Sequence, residues 1–524
     1  MGAYDSIANG LCCLGIEFGS TRIKAILIDE ERHPIAYGVH EWENRYENGI
    51  WTYSIDDIKN GLASCYGSLK ADVMMRYGIV VKRLKAIGIS AMMHGYMAFA
   101  DDGRLLTPFR TWRNTVTFSE SEELTELLSY PVPERWTVSH LLYDIRHSAP
   151  YLDDISYVMT LASYVHYLLT GVKVAGIGDA SGMFPVDRRK KGYDDEAAAI
   201  FLKSYDYDVR SLFPSVLLAG ENAGCLTEDG ALLLDAEGDL GSGIPLCPPE
   251  GDAGTGMVAT DSVRPRTGNI SAGTSAFAMI VLENPLSRPY KELDLVTTPD
   301  GCPVAMAHTN NCTGDLDCWI GLFGEVLSLF GVNADKEELY GRLIGEAGRG
   351  SADAGGLVSY NYQAGEPISG CQKGIPMFIR GTSSSLNLPD FMKQEMYSAI
   401  AAMKSGLDIL SEKEHIRADR ITCHGGYFKT GDEGLKAVAA ALRCPVYALS
   451  TAGEGGAWGM ALLADYLGSA DMDLPSYLDE KVFSSLECRC IEPDAASSDG
   501  FDSFYKRYVS GLAAERLAAE LLGD

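Results

Sequence analysis

Two short stretches set glycine and hydroxyl residues between apolar, β-branched flanks. They are Leu14-Gly-Ile-Glu-Phe-Gly-Ser-Thr-Arg-Ile-Lys-Ala-Ile-Leu-Ile-Asp29 and Gly268-Asn-Ile-Ser-Ala-Gly-Thr-Ser-Ala-Phe-Ala-Met-Ile-Val281. Both read as β-hairpins. The backbone N–H groups of Gly19, Ser20 and Thr21, and of Gly273, Thr274 and Ser275, can converge on phosphate oxygens, with the hydroxyls as further donors. A lone Gly-Ser-Thr turn is in most proteins only a hairpin turn. Two matched copies are a different matter, because a pair of opposed clamps is what a nucleotide held between two lobes needs. Laid over one another at an offset of 254 positions, Ile16 meets Ile270, Gly19 meets Gly273, and Ile23, Ile26 and Leu27 meet Phe277, Ile280 and Val281. Only the first copy carries charges: Glu17 and Lys24 stand where this alignment puts Ser271 and Ala278 in the second. One carboxylate on one side suits a site for Mg²⁺.

Just ahead of the second hairpin, Pro249-Glu-Gly-Asp-Ala-Gly-Thr-Gly256 presents Asp252 between glycines. That setting leaves a carboxylate open to act as a general base beside a transferring phosphoryl group, and by itself it also describes a surface turn. His424-Gly-Gly-Tyr427 follows an expected strand at Arg420–Cys423, and its two glycines would let a flat base or ribose lie against the backbone. Ser90-Ala-Met-Met-His-Gly95 and Thr111-Trp-Arg-Asn-Thr115 mix Met93, His94, Arg113 and Asn114 with Trp112. Hydrogen-bonding groups beside an aromatic face suit a polyhydroxylated ligand.

The elements that must position these residues alternate. Strands are expected at Leu84–Ser90 and Met97–Ala100, helices at Ile155–Leu169 (ending at Gly171), Met392–Leu410, Gly434–Leu442 and Phe501–Leu522, and a further strand at Pro445–Leu449. An Ala/Leu-rich helix opens at Glu454-Gly-Gly-Ala-Trp-Gly459. Strands alternating with helices over two related halves argue for an α/β fold, with the boundary in Asp261–Thr267 and domains of 1–264 and 265–524.

A chain of 524 residues exceeds what one core usually serves, and 46% apolar with 22% charged residues is ordinary globular usage. With 44 Lys and Arg against 72 Asp and Glu, the formal charge of −28 argues against a nucleic-acid partner. No apolar run approaches the ~18–20 residues of a membrane span, and the first ten residues lack a secretory signal pattern. The 13 cysteines are odd in number and without C-x-x-C spacing, which points to buried reduced thiols in a cytoplasmic protein.

Taken together, the motifs resemble the FGGY family of carbohydrate kinases over nearly the whole chain. Leu14–Asp29 and Gly268–Ala276 are similar to its two phosphate motifs, Gly251-Asp252 to its catalytic Gly-Asp, and Met93-His94-Gly95 to the sugar-contacting Met-His-Gly of its xylulokinase branch. Gly314–Trp319, Gly425-Gly426 and Glu454–Leu463 resemble nucleotide-side segments, and Glu17 stands where the family usually has Asp. The resemblance implies a two-lobed actin/hexokinase/Hsp70-like (ribonuclease H-like) ATPase fold with a central cleft, using ATP and Mg²⁺ on a small sugar. It implies Asp252 as the catalytic base and Met93, His94, Trp112, Arg113 and Asn114 on the sugar. ATP would be held by Gly19, Ser20, Thr21, Lys24, Gly273, Thr274, Ser275, Gly314, Gly425, Gly426 and Lys429, and the metal by Glu17. The wording is most similar to pentulose kinases acting on L-ribulose or D-xylulose, and homodimers are common among such relatives. Two other classes remain open: an ATP-driven activator of a partner enzyme, and a sugar sensor without catalysis.

Overall fold

The computed structural model describes residues 2–451, 455–469 and 471–523. The chain forms two compact units, and one cut does not separate them. The first comprises 1–263 together with 295–304 and 454–485, and the second holds 264–294, 305–453 and 486–524.

In the first unit, β1 (Cys13–Phe18), β2 (Arg22–Ile28) and β3 (Pro34–Glu41) form an antiparallel meander. Helix α1 (Ile55–Tyr77) follows, opened by a capping box in which Ser54 and Asp57 exchange hydrogen bonds and closed at Gly78 in the left-handed region. It buries Ile58, Leu62, Leu69 and Val73 against the meander. Strand β4 (Ala86–Ala91) returns parallel to β1. Helix α2 (Leu161–Thr170) starts later than its apolar periodicity suggests. Residues 157–159 instead pair as a short strand with Met97–Phe99, and the Thr160 hydroxyl accepts from the Ser163 N–H as the cap. It ends at Gly171, as expected. The short β5 (Glu250–Gly251) lies parallel to β4 and runs directly into α3 (Asp252–Ala259). The sheet order is β5-β4-β1-β2-β3.

In the second unit, β6 (Thr267–Ala272) and β7 (Ala276–Val281) form the second hairpin. They are followed along the chain by β8 (Asp294–Thr297) and β9 (Pro303–Thr309), of which residues 295–304 count with the first unit, and then by α4 (Gly314–Leu329), α5 (Leu388–Asp408), β10 (Arg420–His424), α6 (Glu433–Leu442), β11 (Val446–Leu449), β12 (Cys488–Ile491) and α7 (Ala495–Leu522). The order β8-β9-β7-β6-β10-β11-β12 contains, at its centre, the same arrangement as the first sheet: a hairpin, then two parallel strands beside its first member.

The two hairpins differ by one residue. Phe18 pairs with Ile23 across the first turn, whereas Ala272 pairs with Ala276 across the second. The constant offset of 254 therefore holds only up to the turn. Beyond it Lys24 corresponds to Phe277, not Ala278, and both are half-buried between two buried neighbours. A single-residue slip exchanges the faces of a strand, so burial fixes this register where sequence matching does not.

Helix Gly455–Tyr466 belongs to the first unit and lies on its sheet. Its close approach depends on glycine: a Cβ on Gly15 would stand 2.1 Å from the Ala457 carbonyl oxygen, and one on Gly459 would stand 2.0 Å from that of Thr255. No helix among the described residues is long and apolar enough to cross a membrane.

Candidate active site

In the first unit the site is built where β1, β4 and β5 end. Glu17, next to last in β1, pairs across the hairpin with Lys24 and on its other side with Ser90 of β4. Its carboxylate accepts a hydrogen bond from the Ala457 N–H at 3.2 Å, at the start of helix Gly455–Tyr466, where the helix dipole favours negative charge. A Cβ on Gly456 would come within 2.5 Å of that carboxylate. Burial and the nearby Asp252 carboxylate push Glu17 up to about 7, against the pull of Lys24 and the Ala457 N–H.

Asp252 is not held between flexible glycines. It is the first residue of α3, where an anion is favoured by the unpaired N–H groups of the first turn. Its Oδ1 accepts from the Met93 N–H at 3.1 Å and from the Ala253 N–H at 3.0 Å. Burial holds it above the ordinary carboxylate range, and these two N–H groups oppose that rise. The carboxyl is thus fixed beside Met93-His94 and is more basic than an exposed aspartate.

His94 has φ of +70°, in the left-handed region that a side chain other than glycine seldom occupies. The buried ring meets the Gly182 carbonyl through Nδ1 at 3.3 Å. Burial, with Arg135 close by, lowers its pKa to about 3 and keeps it neutral. Because a carbonyl only accepts, Nδ1 carries the proton and Nε2 is left as an acceptor.

The Thr111–Thr115 segment divides. Trp112, 38% exposed, donates from Nε1 to the Ser20 hydroxyl at 3.2 Å and so joins the candidate sugar segment to the first phosphate turn. The exposed Arg113 guanidinium lies 4.0 Å from the Trp51 ring centre. The Asn114 Oδ1 accepts from the Trp51 N–H, and its Nδ2 donates to the Trp51 and Thr111 carbonyls, so the amide braces the local backbone.

The first turn is held from beneath. The Trp42 indole donates to the Gly19 carbonyl at 2.8 Å, and the Tyr53 hydroxyl to the Ser20 carbonyl at 2.5 Å, with the two rings stacked 4.0 Å apart. The Gly19 N–H closes the turn onto the Arg22 carbonyl, and the Gly273 N–H likewise onto that of Ser275. Neither glycine N–H is therefore available to a phosphate. The residues enclosed by these bonds are Ser20 and Thr21 in one turn and Thr274 in the other.

In the second unit three expected nucleotide segments meet. The Gly273 carbonyl accepts from the Thr313 N–H and hydroxyl at 3.0 and 2.9 Å, and the Thr274 carbonyl accepts from the Cys312 N–H. The Gly273–Ser275 turn is thereby fixed to the start of α4 at Gly314. Gly425 has φ of +104°, and a Cβ there would lie 2.3 Å from the Ala272 carbonyl oxygen, so only glycine lets the Gly425-Gly426 turn close on the end of β6. Lys429 is exposed at the end of the short helix that follows.

Two buried carboxylates escaped the sequence reading. Glu250, two positions before Asp252, accepts from the Asp179 and Gly178 N–H groups at 2.9 and 3.3 Å. Burial, with Asp179 close by, raises it to about 8. Asp179 accepts from the Thr160 hydroxyl at 2.5 Å, and burial raises it to about 7. The glycines at 176, 178 and 182 were the available signal, since a run of glycines around an aspartate marks close backbone approach.

This fold, two related domains each built on a hairpin with parallel strands beside it, is that of the actin/hexokinase-like class. A ligand-bound xylulose kinase from Lactobacillus acidophilus superposes with a TM-score of 0.79 at 15% identity, covering 96% of this chain and 98% of that one. A gluconate kinase from the same organism gives 0.78 at 15% identity, with the same coverage. The N-terminal domain of the FGGY family of carbohydrate kinases matches residues 12–245 and its C-terminal domain residues 268–467, so the chain belongs to that family. Among curated relatives, a xylulose kinase of Staphylococcus epidermidis is 22% identical over 522 residues, 97% of this chain and 98% of its own length. A xylulose kinase of Escherichia coli K12 is 24% identical over 287 residues, 53% of this chain, and the match spans about half of that relative, 55%.

Proposed function

We propose that the protein is an ATP-dependent kinase that transfers the γ-phosphoryl group to a terminal hydroxyl of a ketopentose, D-xylulose or L-ribulose. The observation that carries this reading is Asp252: a carboxylate of raised basicity, fixed by the Met93 N–H against the Met93-His94 segment. In this role Asp252 accepts the proton of the attacking hydroxyl. The neutral His94 orients the sugar by accepting from another hydroxyl, and Trp112 offers its indole face. The N–H groups and hydroxyls of Ser20, Thr21, Thr274 and Ser275, with Lys24 and Lys429, are assigned to ATP. Phosphoryl transfer depends on such positioning and on charge neutralisation more than on covalent help.

The residues also fit Mg²⁺. The Asp252 carboxylate raises the proton affinity of Glu17, a repulsion that a divalent cation relieves, and Glu17 would be the protein ligand. When bound, the metal neutralises phosphate charge. The longer Glu17 arm is directed by its bond to the Ala457 N–H.

The test is a coupled ADP-release assay with Mg·ATP over a panel of ketopentoses, ketohexoses, polyols and gluconate. Turnover with one ketopentose, falling roughly 10²–10⁴-fold in Asp252→Ala while nucleotide binding stays near wild type, is the expected result for a lost general base. Unchanged turnover in that variant removes Asp252 from the mechanism. Sugar-independent hydrolysis would point to an activator, and silence on every sugar to a sensor.

A further inference from the structure

We propose that Glu250 is a positioning residue that holds His94 and Asp252 in register, and so sets affinity for the sugar. The proposal rests on the kinase reading for its substrate, but on the structure alone for its geometry.

Glu250 is 1% exposed, and both of its carboxylate oxygens are bound: Oε2 accepts from the Asp179 N–H at 2.9 Å and Oε1 from the Gly178 N–H at 3.3 Å. These donors open the short helix Ile177–Ala180, which has no side-chain cap of its own. Glu250 thus supplies from another strand the acceptor that a local N-cap would give. The backbone is shaped to receive it, since a Cβ on Gly176 or Gly178 would lie 2.2 or 2.3 Å from its carboxylate oxygens.

The clamped turn continues through Ser181, whose hydroxyl donates to the Gly178 carbonyl at 2.6 Å, to Gly182. The Gly182 carbonyl accepts the His94 Nδ1–H, and a Cβ on Gly182 would stand 2.7 Å from that nitrogen. One path from Glu250 therefore runs through its side chain to the His94 ring.

A second path runs through its backbone. Glu250 pairs with Ser90 and Gly251 with Ala91, and the next residue, Asp252, accepts from the Met93 N–H. Met93-His94 is gripped on one side by Asp252 and on the other by Gly182, and both grips trace to Glu250. A residue at φ of +70° needs such restraint, because strained backbone persists only where its surroundings over-determine it. The consequence is chemical. With Nδ1–H held by Gly182, Nε2 must act as an acceptor, so the ring binds a substrate hydroxyl that donates.

Glu250→Gln keeps the volume but turns an N–H group toward an N–H donor. In that variant we expect the KM for the sugar to rise roughly 10-fold or more, the loss of a well-placed hydrogen bond, while the KM for ATP stays within about twofold. Gly182→Ala, which displaces the His94 ring without touching Glu250, should reproduce the split. Ring ¹⁵N shifts of His94 in the sugar-free protein should report the Nδ1–H tautomer in wild type and tautomer mixing in Glu250→Gln. This readout needs no activity, so it stands even if the kinase reading fails. A wild-type tautomer in Glu250→Gln would overturn the proposal, as would a lowered melting temperature with both KM values unmoved. A parallel rise of both KM values would do the same.

Discussion

Asp179 and Glu250 set an alkaline limit on stability. Burial raises them to about 7 and about 8, from ordinary values near 3.8 and 4.5. Groups raised in this way favour the folded state fully below their unfolded values and lose that contribution as pH climbs through 7 and 8. The buried His94, His140 and His166 act in the opposite sense. Burial lowers them to about 3, 3 and 4, so their contribution is present above 6.5 and is lost as pH falls. Melting temperature should therefore decline as pH rises through 7 and 8, a limb that Glu17, Glu366 and Glu395 share, while the histidines pull it down as pH falls. Asp179→Asn should make the alkaline limb shallower and leave the acid limb in place. An equal alkaline slope in that variant, followed by scanning fluorimetry from pH 5 to 9, would sink this account. The same residues mark what sequence could give. Asp252 stood out as a candidate because its carboxylate sits among glycines just before the second glycine-hydroxyl hairpin. Glu250 was not, since two acids two positions apart look alike until the fold puts one onto two N–H groups and the other beside His94.

Elements were legible where their period was long. Both hairpins, the β10 strand and the α5 and α7 helices lie within a few residues of their expected places. The three-residue strand at 157–159 was absorbed into a helix, because three residues carry no periodicity to contradict the helical spacing around them. Turn length was invisible too, since apolar residues on both sides permit either register. The packing of helix Gly455–Tyr466 on the first sheet depends instead on what is missing, a Cβ at Gly15 and at Gly459. Gly459→Ala would drive a methyl group to 2.0 Å from the Thr255 carbonyl, which belongs to a helix backbone and cannot rotate away. We expect it to cost about 1–3 kcal/mol in urea unfolding, the usual range for overpacking. Gly456→Ala meets side-chain atoms, the Glu17 carboxylate at 2.5 Å and the Thr255 hydroxyl at 2.8 Å, rather than backbone, so its effect should differ in kind. Stability should stay near wild type while the Mg²⁺ concentration for half-maximal activity rises. A Gly456→Ala protein with an unchanged Mg²⁺ requirement would argue against Glu17 as the metal ligand.

At the scale of the whole chain, the two-domain plan follows from the repeated hairpin, whereas the exchange of segments does not, because no local pattern tells a helix which sheet it will cover. Residues 454–485 lie far along the chain yet, like 295–304, belong to the first unit. Trp458 is 1% exposed, donates to the Arg32 carbonyl at 3.2 Å and meets Phe483 edge-on. Asp465 of the same helix receives Lys85 at 2.5 Å and Arg32 at 2.9 Å, and these partners hold it below the usual carboxylate range. Without this helix, the face of β1 around Gly15 would be open to water and the ion-pair partners left alone. Residues 1–263 by themselves should therefore lack a cooperative thermal transition. Joining 454–485 to them through a flexible glycine-serine linker should restore one, and Trp458→Ala in the linked chain should weaken it by about 3–5 kcal/mol, as for other large buried side chains. Cooperative melting of 1–263 alone would mean that the first unit closes its own core and that the returning helix is an addition to a finished fold. Melting only after the helix is supplied would make the first unit a product of both ends of the chain, with Glu17 and Asp252 in place only once nearly all of it has folded.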